Sequence, residues 1–114
     1  MSRLGKFSYS TAILAVDGGN SKTDVALVGA DGGVLGAARG PGASHHHLGV
    51  AAAMDTLEAL VEAACHDAGL AASERPLATV GVWCLAGVDF PADDQALRPA
   101  LSQHYPALAD MELA

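Results

Sequence analysis

Positive charge is scarce in this sequence. Its six lysines and arginines, Arg3, Lys6, Lys22, Arg39, Arg75 and Arg98, are scattered without a cluster, and thirteen acids bring the net charge to −7. So acidic a chain is poorly suited to nucleic acid or an anionic membrane surface. Long apolar runs are missing too. None nears the roughly 20 residues of a bilayer span, and the opening "MSRLGKFSYS" lacks the apolar centre of a secretory signal. The sequence therefore reads as cytoplasmic, with residues 1–10 as a disordered tail. Cysteine is nearly absent. Cys65 and Cys84 make neither a CxxC pair nor a zinc-site spacing, and both read as small buried hydrophobes. Aromatic residues are only 4% of the chain, and two of them, Trp83 and Phe90, read as core rather than as a substrate platform.

What is present suits one small α/β domain: 114 residues, 51% of them hydrophobic. The run "TAILAVD" is continuous and apolar, as in a central strand covered on both faces. After Gly18 and Gly19, "KTDVALVGA" reads as a second strand, "DGG" as a hairpin turn and "VLGAARG" as a third strand, giving an antiparallel meander. The spacing of Val50, Met54, Leu57, Val61 and Ala64 predicts a helix over about 48–68, with Asp55, Glu58 and Glu62 on its wet face and Gly69 as its cap. The connector "AASERP" then leads into "LATVGVWCLAGVD", a strand that should lie parallel to its sheet neighbour. Pro91 suits the first position of a second helix, Asp89 is placed to cap it, and Pro99 is expected to kink or divide it. "MELA" opens a fifth strand with no room to complete it, so the order is β-β-β-α-β-α-β with the last strand truncated.

Three stretches carry chemistry: "DGGNSKTD", "GPGASHHHLG" and "LAGVD" before a proline-led helix. Read alone, the first is either a plain Gly-Asn turn or a phosphate cradle. A glycine-rich hairpin turn can aim successive backbone N–H groups at a phosphate. Gly18 and Gly19 would allow close approach, Asn20, Ser21 and Thr23 would add donors, and Lys22 would add positive charge. Asp17, at the carboxyl end of the central strand, could organise Mg2+ through water, since that ion keeps much of its hydration shell. The three adjacent histidines of "SHHH" point in different directions and cannot readily share a metal ion without further ligands.

With the order of elements, these motifs resemble the N-terminal half of proteins in the sugar kinase and actin superfamily, whose domains are ribonuclease H-like. Within it they are similar to the N-acetylglucosamine kinase and BadF/BadG/BcrA/BcrD-type ATPase family, over about residues 13–114. The resemblance implies an ATP- and Mg2+-dependent kinase acting on a sugar or amino sugar, with residues 11–114 as an incomplete N-terminal lobe and a homodimer among the expected states of the parent. It puts Ser21 at an ATP-contacting position. It also puts Ser44 and His45 in the substrate loop, with Ser44 where those kinases carry an asparagine. Serine is shorter and lacks the paired donor and acceptor of an amide, which counts against N-acetylglucosamine itself as the sugar.

Phosphoryl transfer further needs a carboxylate to take the acceptor's proton. In the resembling family that aspartate follows the fifth strand, and no aspartate of this chain matches its position; the chain alone is expected to be inactive. Two alternatives stand beside the kinase reading. One is a non-catalytic fragment or interaction module completed by a second chain through an exposed sheet edge. The other is an ATPase that activates an acyl-CoA reductase or dehydratase, which Cys65 and Cys84 disfavour because they are not placed to hold an iron–sulfur cluster.

Overall fold

A computed structural model of the chain describes residues 11–70, 80–105 and 110–113. The tail at 1–10 and the "AASERP" connector lie outside these residues. Five strands, β1 (Thr11–Gly18), β2 (Lys22–Gly29), β3 (Val34–Pro41), β4 (Val80–Leu85) and β5 (Asp110–Leu113), form one sheet in the order β3-β2-β1-β4-β5. The first three make the expected antiparallel meander, while β4 pairs parallel to β1 and β5 parallel to β4. Asp31 closes the β2–β3 turn by accepting the Gly33 N–H at 2.9 Å, as a turn aspartate does.

Among the described residues three helices accompany the sheet: the single turn α1 (His45–Leu48), then α2 (Val50–Asp67) and α3 (Pro91–His104). Met54, Leu57, Leu60, Val61, Ala64 and Cys65 recur at three- and four-residue spacing and are buried, while Asp55, Glu58 and Glu62 are exposed. This stripe lies over β2 and β3 and meets Leu14, Val16, Val25, Leu27 and Trp83 of the sheet and Leu97 and Leu101 of α3 in one core. Each fully buried leucine contributes roughly 1.5–3 kcal/mol of transfer free energy. The helix stops at a Schellman motif, in which the Gly69 N–H donates to His66 and the Leu70 N–H to Cys65, both at 3.0 Å. Asp67 then accepts the Ala37 N–H of edge strand β3 at 2.9 Å.

Several expectations are corrected. The helix over 48–68 is shorter, and α1 precedes it as a separate turn, because Gly49 at φ 83° breaks the helical path between them. Pro99 does not divide α3, which runs as one helix through it. Among the described residues β1 is covered on one face only: strand alternation puts Ala15, Ala26, Ala37 and Val82 on the other face, where they line an open concavity of about 650 Å³. The same alternation buries Trp83 and exposes Cys84, which is therefore not a buried hydrophobe. Phe90 is 71% exposed rather than in the core, because it is the N-cap of α3.

Candidate functional site

Three loops, residues 18–22, 42–49 and 86–90, meet at the carboxyl ends of β1 and β4, the end at which open α/β sheets bind ligands. Backbone bonds join them. The Ala86 N–H donates to Gly18 O at 2.6 Å and the Ala43 N–H to Gly19 O at 3.2 Å. Gly42 lies flat against the Asn20 carbonyl, so any Cβ at 42 would overlap it.

Within the first loop the Gly19 N–H donates to Lys22 O at 2.8 Å, closing the turn between β1 and β2. The N–H groups of Asn20 and Ser21 donate to no backbone oxygen among the described residues, and Asn20, Ser21 and Lys22 are exposed. Gly18 is buried, with Leu85 and Thr23 beside it. Thr23 faces the helix-covered side, fully buried, and its hydroxyl has no partner among the described residues. The structure thus puts the side chains of Ser21 and Lys22 at the surface and that of Thr23 beneath it.

Asp17 is exposed on the open face, in register with Asp24 of β2 and Cys84 of β4. Arg39 grips Asp24 with both arms, at 2.6 and 3.2 Å, and this bond holds the Asp24 carboxyl below the usual carboxylate range. Asp17 has no such cation beside it among the described residues.

Ser44 is buried as the N-cap of α1 and makes no side-chain capping bond. The His45 side chain is only 8% exposed, and its Nε2 lies 3.0 Å from Asp93 Oδ1. His46 is half exposed, with Nε2 at 3.0 Å from Gly87 O and 3.2 Å from the same Asp93 oxygen. Gly87 sits at φ 89°, and a Cβ there would stand 2.5 Å from the His46 ring, so both the backbone and the contact require glycine. His47 is exposed and outside this cluster.

The acid that caps α3 is Asp93, not Asp89. Its Oδ2 accepts the N–H groups of Phe90 at 3.0 Å and Asp89 at 3.1 Å, the reciprocal half of a capping box. The bond with His45, followed by those two backbone bonds, holds its carboxyl below the usual range. Asp89 itself is exposed. Asp93, His46 and Gly87 are the residues that the sequence did not single out for this site; an acid three residues after a helix start was the available signal for Asp93.

No protein-family model and no curated protein matches the chain. Among solved structures it is similar to a crystal structure from Chromobacterium violaceum of a protein provisionally named an N-acetylglucosamine kinase, with 28% identity and a TM-score of 0.70. The match covers 91% of this chain and 34% of that one, so the chain spans about a third of the length of the structure it matches. The fold is accordingly of the α/β, actin-like or ribonuclease H-like class, and its likeness is to a sugar kinase. No helix among the described residues is long and apolar enough to cross a membrane.

Proposed function

We propose that the chain is the N-terminal, phosphate-binding part of an ATP-dependent sugar or amino-sugar kinase, N-acetylglucosamine kinase-like or of the BadF type. The observation that carries the reading is the turn at 18–22. It offers the N–H groups of Asn20 and Ser21, the Ser21 hydroxyl and the Lys22 ammonium at the carboxyl end of the central strand, next to Asp17, which has no cation beside it among the described residues. This donor set fits a phosphate.

Gly18 and Gly19 keep the loop close to the sheet, and Asp17 would hold Mg2+ through water. The ion supplies neutralisation of the charge on the transferred phosphoryl group. Ser44 and His45 border the acceptor side, where His45 is already oriented by Asp93. No carboxylate of the chain is assigned as the base that takes the acceptor's proton.

Calorimetric titration of ATP with and without Mg2+ tests the reading. Binding should weaken about tenfold in Ser21→Ala, the worth of one hydrogen bond to a charged group, and should lose its Mg2+ dependence in Asp17→Asn. Heat that is absent at millimolar nucleotide, or identical in both variants, would overturn it. A second reading, an interaction module covered by another chain, is favoured by the open sheet face. Size-exclusion chromatography with a candidate partner separates the two.

A further inference from the structure

The histidine run gains from the fold what it lacks in sequence, a ligand from a distant element. Asp93 lies 48 residues beyond His45, yet one ligand atom from each of His45, His46 and Asp93 falls within 4.8 Å of the others. We infer that these three residues bind a divalent first-row transition-metal ion of the zinc class, fastening the 42–49 loop to the start of α3. The site uses neither the 18–22 turn nor Asp17; it shares His45 with the acceptor side of the kinase reading.

Two imidazole nitrogens with one carboxylate oxygen are a borderline donor set, suited to Zn2+, Co2+ or Ni2+ rather than to Mg2+. The carboxylate is oriented for the task. With Oδ2 occupied by the backbone N–H groups of Asp89 and Phe90, Oδ1 is turned toward both rings, at 3.0 and 3.2 Å. Zinc bonds of about 2.0–2.1 Å set tetrahedral donors roughly 3.3 Å apart, close to these separations. Without an ion, His45 Nε2 faces Asp93 Oδ1 while His46 Nε2 lies between that oxygen and the Gly87 carbonyl; with one, a dication stands between both nitrogens and the carboxylate. His46 is half exposed, so the ion has an entry path and a fourth position open to water. Gly87, having no Cβ, leaves room for the His46 ring. The burden falls on His45, whose Nδ1 has no partner among the described residues and would carry the ring proton, leaving this ligand without the support most metal-bound histidines have.

The experiment uses the untagged 114-residue chain and Zn2+ in competition with a chromogenic chelator, with Co2+ absorption reporting the ligand geometry. One equivalent should bind. Outer-shell changes at metal sites already weaken binding 10–100-fold, so His46→Ala and Asp93→Asn should each weaken it at least ~100-fold. His47→Ala should change nothing. His46 is exposed enough that its loss should not unfold the chain, and circular dichroism checks Asp93→Asn. Affinity that survives both His46→Ala and a folded Asp93→Asn would overturn the site. So would affinity that falls equally in His47→Ala while Asp93→Asn binds normally, since that is the behaviour of a bare histidine run.

Discussion

Leu14, Val16, Val25, Leu27 and Trp83 stand on the side of the sheet covered by α2 and α3, whereas Ala15, Ala26, Ala37 and Val82 form a row across the other side. The two faces share one alternation and differ in side-chain volume and in what borders them. The covered face is large, apolar and buried. The open face is shallow, and the ion pair Asp24–Arg39 and the exposed carboxylate of Asp17 lie on it. Stability is therefore concentrated on one face, and the charged groups nearest the proposed nucleotide site belong to the other.

The sharpest way to break this comparison is to remove volume from the covered face. Leu57→Ala should cost ~2–5 kcal/mol in urea unfolding, enough to unfold a marginal domain outright. On the open face Ala26→Ser should stay within about 0.5 kcal/mol. Similar losses at both would mean that the open face is packed against something.

A finer test uses two consecutive residues of β3. A Cβ at Gly36 would meet the Ala64 carbonyl at 2.5 Å and the Ala68 methyl at 2.7 Å, so Gly36→Ala should cost ~1–3 kcal/mol by overpacking against α2. Ala37→Val, pointing the other way, should be near neutral by the same measurement.

The smallest effect belongs to Asp24 and Arg39. The Asp24 carboxyl is lowered in the folded chain, so its contribution is complete above the unfolded carboxylate range and is lost as pH falls through the folded value. The pair is exposed, so the effect should be slight and should shrink with salt. NMR titration of the Asp24 carboxyl carbon should show its midpoint rising toward the ordinary value in Arg39→Ala.

The meander and α2 were legible because period-two and period-three-to-four patterns survive in a single sequence, and "DGG" names its own turn. The open face was not, because alanine and valine count as apolar whether or not anything covers them. "VGVWCL" therefore looked buried on both sides, although alternation turns Trp83 inward and Cys84 outward. Phe90 misled for a local reason: an aromatic next to a helix-starting proline occupies the cap, where the backbone is extended and the side chain leaves the core. The loop at 18–22 was visible as a glycine-rich acidic turn. That His45 and His46 share Asp93 was not, since only the return of α3 beside α1 brings them together.

The bond from the Ala86 N–H to Gly18 O continues the β1–β4 ladder past the last strand residues, and those of Gly19 and Ala43 tie the turn to itself and to the next loop. Amide protons at 19, 43 and 86 should therefore exchange with solvent on the timescale of the sheet, slower than surface loops usually do. Such a seat is set before any ligand arrives. It would select by fixed shape, like a gauge, and little of the binding free energy would go into ordering it.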